Sequence, residues 1–278
     1  MKRRNMFKDV IGFGVAGNFA GHLEQAGEAT DFLNVKVENN IQPKALFPFY
    51  VPSQHAGFLS QYPLSSDTII PPNDADNLQI EPEVAIVFDI SYQDNKVVAL
   101  TPVKFAAYND CSIRKPNAKK ISEKKNWGAE TKGISQDFIK LSSFTKGCEL
   151  DKYRIASFHM RNGELNRYGE DSAAIDYSYF HEQLNDWIID KMNNQKDEGP
   201  AENLSIYLAS ASYPKQAIIS IGATRYTPYG ETNFLKSGDQ SIVVVYDGDK
   251  YTSDEIETMA KLNSFEKSGI SLLSQQVI

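Results

Sequence analysis

Five consecutive apolar residues, Val84-Ala85-Ile86-Val87-Phe88, follow directly on Glu81-Pro82-Glu83 and stop at Asp89. A short run rich in β-branched and aromatic residues reads as a buried strand. Side chains alternate across a strand, so Glu81 and Glu83 share one face. Pro82 is tolerated between them only at the first residues of a strand or at a sheet edge. Two carboxylates side by side at the mouth of a buried strand repel one another. They stay ionised together when positive charge lies between them, and a divalent cation is the simplest source of it. The plain alternative is a pair of solvated acids where the strand begins.

The remainder reads as β-rich with few helices. Val97-Val98-Ala99-Leu100 is a hairpin partner for the first strand across Gln93-Asp94-Asn95-Lys96. The segment 103–108 then leads into Asn109-Asp110, which delivers a third carboxylate at a strand end. Other strand patterns lie at 154–161, closed by the hairpin turn Asn162-Gly163, at 217–222 and at 242–246. Asp176 as N-cap, with Tyr177, Phe180, Leu184, Trp187, Ile188 and Met192 at helical spacing, predicts the longest helix. Thr252 and Glu255 make a capping box ahead of a C-terminal helix. Prolines 43, 48, 52, 63, 71 and 72, set among aromatics, predict ordered extended segments and turns. No flexible tract divides the chain, so a single domain over 1–278 is expected, its core at about 10–246 and a helical extension at 247–278.

A hydrophobic fraction of 41% with 14 Tyr and 15 Phe belongs to a folded protein. The net charge of -7 argues against nucleic acid or an anionic membrane as main partner. Two cysteines, Cys111 and Cys148, suggest no disulfide framework, which makes a reducing cytoplasm the default. The basic start, residues 1–9, resembles a signal peptide, but Gly12, Gly14, Gly17 and Asn18 break up the apolar stretch that would have to follow. No run approaches the length of a membrane span. A soluble cytoplasmic protein is the expectation.

Gly12, Gly14 and Gly17 have the spacing of a dinucleotide phosphate loop, yet no long amphipathic helix or acidic ribose partner follows. A nucleotide-dependent oxidoreductase therefore ranks low. His22 has Glu24 and Glu28 nearby, and a histidine oriented by a carboxylate can activate water. Its alternative role is to cap a turn. The basic stretch Lys115–Lys125, with Lys119-Lys120 and Lys124-Lys125, reads as a solvated helix or loop. Lys132, beside Gly133, would by itself be a surface charge.

Taken in order, these segments resemble the fumarylacetoacetate hydrolase superfamily over roughly residues 10–246. The resemblance implies that Glu81, Glu83 and Asp110 are metal carboxylates, Asp110 lying in Asn109-Asp110-Cys111-Ser112-Ile113-Arg114, which matches the family's N-D-x-S-x-R pattern. It implies catalytic roles for Lys132 and for His22, the latter ending Gly17-Asn18-Phe19-Ala20-Gly21-His22. Arg114, Thr224 and Arg225 would contact substrate, and Leu235-Lys236-Ser237-Gly238-Asp239 would be a structural turn. The implied fold is α+β and β-rich, a mixed sheet rolled into a barrel-like core, and homodimers are common among members. Two departures bear on chemistry. The glutamate expected three residues after the histidine is Gln25, so Glu24 would have to swing in. The family's Gly-Thr-Pro loop reads Gly222-Ala223-Thr224-Arg225, with Arg225 a replacement for the displaced threonine contact.

Three carboxylates with no histidine or cysteine among them favour a hard cation, Mg2+ first, with Mn2+ or Ca2+ as alternatives. Such an ion suits a substrate offering two oxygens, a β-keto acid or acylpyruvate, whose carbonyl it polarises as a carbon–carbon bond breaks. His22, helped by Glu24, would serve as base, and Lys132 would support the developing negative charge. Decarboxylation or tautomerisation of an oxaloacetate-like acid is the alternative reaction. A binding protein that keeps the fold without catalysis is the alternative class.

Overall fold

The computed structural model describes residues 6–32, 41–73, 77–114, 118–266 and 268–278. The start at 1–5 and Lys115, both used above, lie outside that set. The architecture is the expected β-rich α+β arrangement, built on two mixed sheets. The larger runs in the order Ala45–Tyr50, Ile11–Ala16, Gln216–Ser220, Pro82–Gln93, Lys96–Asn109, Lys132–Ile134, Leu64–Ser65, with Ile139–Lys140 added beside Lys96–Asn109. The smaller runs Glu164–Ala173, Tyr153–Arg161, Gln240–Asp247, Ile270–Val277, Thr68–Ile69. Ile86, Phe88 and Phe105 of the first sheet and Ile155, Val243, Val245 and Leu273 of the second belong to one buried cluster. The largest part of the core therefore lies between the sheets, and smaller clusters cover the opposite face of each, at Ala85, Val87 and Tyr108 and at Phe158, Val244 and Tyr246.

The expected hairpin forms the spine of the larger sheet. Asp94 and Asn95 both hold positive φ, 49° and 63°, as a primed two-residue turn demands. The two strands around it, Pro82–Gln93 and Lys96–Asn109, are longer than sequence suggested and pair along their full length. Pro82 is the first residue of its strand, where its missing N–H does no harm. Pro48 sits within Ala45–Tyr50, which lies at the sheet edge.

The long helix spans His181–Asn194 and buries Leu184, Trp187, Ile188 and Met192 as predicted. It begins later than expected because Asp176 closes a separate 3-10 turn, Ala174–Asp176, accepting from the Ala173 N–H. The C-terminal helix, Ser253–Leu262, carries the predicted Thr252–Glu255 capping box. The segment expected to be helical beyond 247 also contains a strand, Ile270–Val277, which pairs along Gln240–Asp247. Its alternation is masked because two inward residues are polar. Ser271 accepts the Ala107 N–H at 2.9 Å, and Gln275 accepts from Asn109 at 3.2 Å and donates to the Thr68 carbonyl at 3.0 Å. Among the described residues, no helix is long and apolar enough to cross a membrane.

Candidate functional site

The hairpin register builds the acidic site. Pro82 pairs with Asn109 and Glu83 with Tyr108, so the next position outward sets Asp110 opposite Glu81. The Asp110 N–H donates to the Glu81 carbonyl at 3.0 Å, extending the ladder by that one step. Alternation then puts Glu81, Glu83 and Asp110 on the same face. All three are buried, Asp110 completely. One carboxylate oxygen from each lies within 4.8 Å of those of the other two. Each residue of the N-D-x-S-x-R segment has a definite part in holding this arrangement. Asn109 accepts the Glu81 N–H at 3.1 Å and donates to Ser241 and Gln275 of the opposing sheet, both at 3.2 Å. Ser112 donates to the Asp110 carbonyl at 2.6 Å. Arg114 donates to Gln79, Glu28 and the Tyr226 hydroxyl and pairs with Glu81 at 2.7 Å.

The cation closest to the trio comes from the lysine-rich stretch that reads as solvated in the sequence. Lys125 is buried, and its Nζ lies 2.7 Å from Glu81 Oε2, 2.7 Å from Asp110 Oδ2 and 2.7 Å from Ser112 Oγ. Lys124, one residue earlier, reaches Glu28 at 3.1 Å. Lys132 approaches from behind Asp110 at 3.1 Å, donates to the Cys111 carbonyl and stacks over Trp127, with no exposure to solvent. Four acids (Glu28, Glu81, Glu83, Asp110) thus face four bases (Lys124, Lys125, Lys132, Arg114). Their sharing is uneven. Burial would raise the Glu81 carboxyl, but Lys125 and Arg114 outweigh it and hold the group well below its usual range. Glu83 goes the other way: burial, Asp110 and Glu81 all push it well above. Among the described residues no cation lies within ion-pair distance of Glu83, whose Oε2 accepts only the Gly222 N–H at 2.9 Å. Burial lowers the pKa of the Lys132 ammonium.

His22 lies beside this cluster at the start of the short helix His22–Gln25. Its Nδ1 is 2.9 Å from the Thr224 carbonyl, which can only accept, so the ring proton sits on Nδ1 and Nε2 keeps its lone pair. Burial lowers the imidazole pKa, against a smaller opposing pull from Glu81. The neutral tautomer with a free Nε2 is therefore the resting form. Of the two acids near it in sequence, Glu28 is buried and lines the same cavity, whereas Glu24 is exposed. Gln25 is clasped to the Tyr226 backbone, donating at 3.1 Å and accepting at 2.8 Å, so its amide is structural.

The cavity these groups enclose measures about 20 Å3, lined by His22, Glu28, Phe47, Glu81, Glu83, Asp110 and Lys125 among others. That holds one water or one bare cation. Of the residues expected at the site, His22, Glu81, Glu83 and Asp110 meet there. Arg114 and Lys132 support the trio from outside the cavity, each already committed to protein partners. Thr224 contributes its backbone carbonyl to His22, while its hydroxyl is buried without a hydrogen-bond partner among the described residues. Arg225 points away and pairs with Glu170 at 2.8 Å, both half-exposed.

A divalent ion fits the donor set. All three ligand groups are hard oxygens, and their separation suits a single ion. Both Asp110 oxygens already face ammonium groups, Lys125 at 2.7 Å and Lys132 at 3.1 Å. An arriving ion would have to share Glu81 and Asp110 with Lys125.

Lys125 is carried by the 3-10 turn Ile121–Lys124, which Glu202 pins by accepting from the Ser122 hydroxyl at 2.7 Å. Burial pushes the Glu202 carboxyl up to about 7. A carboxyl raised on folding stabilises below its unfolded value and loses that contribution as pH rises through the folded one. Stability should therefore fall between about pH 4.5 and 7 by roughly 3 kcal/mol on this account. Urea titrations of Glu202→Gln at pH 5 and pH 8 should show that slope flattened. An unchanged slope would remove Glu202 as its source.

The fold has solved relatives. A 5-carboxymethyl-2-hydroxymuconate delta-isomerase from Mycobacterium smegmatis superposes with a TM-score of 0.53 at 14% identity, covering 96% of this chain and 78% of that one. A 2-hydroxyhepta-2,4-diene-1,7-dioate isomerase from Mycobacterium marinum gives 0.51 at 12%, covering 96% and 74%. A protein described as of the fumarylacetoacetate hydrolase family, from Yersinia pestis CO92, gives 0.50 at 15%, covering 97% and 94%. At such identities the likeness is one of fold, and it is the fold the sequence resemblance implied. The curated proteins contain no match to this chain. The protein is a divergent chain on the fumarylacetoacetate hydrolase fold, and it belongs to the family of unknown function DUF5718, whose profile matches residues 28–277.

Proposed function

We propose that the protein is a divalent-metal-dependent enzyme acting on a β-keto acid or acylpyruvate-type substrate, with carbon–carbon bond cleavage as its reaction. The observation that carries this reading is the convergence of three buried carboxylates beside a neutral histidine with a free Nε2. Glu81, Glu83 and Asp110 would hold the ion, which when bound polarises the substrate carbonyl and stabilises developing enolate charge. Mg2+ is the first choice, with Mn2+ or Ca2+ able to replace it. The names of the two mycobacterial neighbours, isomerases of unsaturated hydroxy polycarboxylates, support an acid of this general kind as substrate.

His22 takes a proton at Nε2, and the Thr224 carbonyl fixes the ring in the tautomer that allows this. Lys125, the ammonium that reaches the cavity, is placed to stabilise negative charge on substrate oxygen. A keto acid is larger than the cavity of about 20 Å3, so the walls must part to admit it. The short His22–Gln25 helix forms one of those walls, with Gly21 and Gly27 near its ends at φ 83° and 69°.

A second reaction, decarboxylation or tautomerisation of an oxaloacetate-like acid, is favoured by one detail. The ring partner of His22 is a backbone carbonyl and not a carboxylate, which makes it a weaker base for water. Turnover of oxaloacetate and of an acylpyruvate, each with and without Mg2+, separates the two. His22→Gln should lower kcat by about a hundred- to ten-thousand-fold with the fold intact. Absence of turnover on both substrate types in the presence of metal would favour a binding protein.

A further inference from the structure

A second group of ligand-type side chains converges away from the acidic site. Cys148 precedes the 3-10 turn Glu149–Lys152. Cys148 itself is extended at the edge of that turn, and its thiol reaches the Asp151 carboxylate. His181, the first residue of the long helix, meets them from thirty residues further on, held in the left-handed region at φ 54°. Its Nε2 lies 2.6 Å from Asp151 Oδ1, and Cys148 Sγ lies 3.3 Å from the same oxygen. The three ligand atoms are all within 4.8 Å of one another. Phe144 and Phe180 flank the imidazole, with ring centroids 5.7 Å and 4.4 Å away. Cys148 is buried, and the Asp151 and His181 side chains are 24% and 19% exposed. The cluster is sheltered yet open to an ion from solvent.

We propose that Cys148, Asp151 and His181 form a transition-metal site of the zinc class, with a fourth position left for water. Bond lengths of zinc to thiolate, imidazole and carboxylate put tetrahedral ligand atoms about 3.4–3.6 Å apart. The sulfur–oxygen pair is already near that spacing, and the nitrogen–oxygen pair reaches it by parting less than an ångström. Asp151 Oδ1 is the acceptor for both the thiol S–H and the imidazole N–H, so the ion replaces two protons. The thiol proton leaves to solvent, and the imidazole proton is exchanged to Nδ1. Each ion bound releases one proton, and the product of a dication, a thiolate and a carboxylate is neutral. Thiolate and imidazole select zinc or cobalt over magnesium, so this site and the all-oxygen trio prefer different ions. A bound ion would also tie the turn to the start of the long helix.

Cobalt(II) added to the chelator-treated full-length protein tests the assignment. The expected result is a thiolate-to-cobalt charge-transfer band at one ion per chain, displaced by zinc, with one proton released and the melting temperature raised. Cys148→Ser and, independently, His181→Ala should each abolish the band, while Glu83→Gln should retain it. No band with cobalt in excess would overturn the proposal. So would a band that persists in folded Cys148→Ser, since it would then originate at Cys111 or elsewhere.

Discussion

Asp110→Asn is expected to destabilise the protein by about 3–5 kcal/mol, because neutralising it strips a carboxylate from buried Lys125 and Lys132 together. Glu83→Gln should behave in the opposite way. Glu83 has no ion-pair partner among the described residues, and burial with two neighbouring acids already disfavours its charge. The amide keeps an oxygen for the Gly222 N–H. Its melting temperature at neutral pH should equal or exceed that of the parent, and the difference should widen as pH rises. A carboxyl raised on folding loses its stabilising contribution with increasing pH, and glutamine has none to lose. Both substitutions should weaken Mn2+ binding by about a hundred-fold or more, beyond the loss usual for groups that only support a ligand. Denaturation and metal titration of the two variants side by side check this. If Glu83→Gln proves as destabilising as Asp110→Asn, the division between paired and unpaired acids is wrong.

Lys125→Met is the second large effect. Removing the ammonium leaves Glu81 and Asp110 as under-compensated buried anions, which costs about 3–5 kcal/mol without metal. The same change frees those carboxylates for an arriving ion. Mn2+ should therefore raise the melting temperature of Lys125→Met more than that of the parent, a ten-fold tighter site adding about 1.4 kcal/mol at saturating metal. A smaller metal-induced shift in the variant would mean that Lys125 assists metal binding and does not compete for the same oxygens. Thermal melts across a Mn2+ series decide between these outcomes.

The parts of this site that sequence made legible share a feature: they are set by the pitch and pairing of adjacent strands. Glu81 and Glu83 share a face by alternation, and Asp110 joins them through a hairpin whose turn, Asp94-Asn95, is itself a local signal. The residues that escaped notice are brought in by tertiary packing. Lys125 lies 44 residues beyond Glu81, in a stretch whose density of lysines reads as solvated surface. Its reach into the core depends on the Ser122–Glu202 contact, which spans 80 residues and leaves no periodic trace. Glu28 was visible as a candidate beside His22, but choosing it over Glu24 required knowing that the helix ends at Gln25. The final strand hid for a different reason. Ser271 and Gln275 replace apolar residues at inward positions because they bond across to the other sheet. The sequence neighbours of Arg225 point it at substrate, whereas its side chain pairs with Glu170 away from the cavity.

The most direct test is equilibrium dialysis of the full-length, chelator-treated protein against Mn2+, followed by metal analysis. A single manganese ion per chain, kept in Cys148→Ser and lost in Glu83→Gln with its fold intact, is the predicted result. No manganese retained by the parent at large excess, or equal retention by Glu83→Gln, would contradict the claim that the three hairpin carboxylates hold the ion.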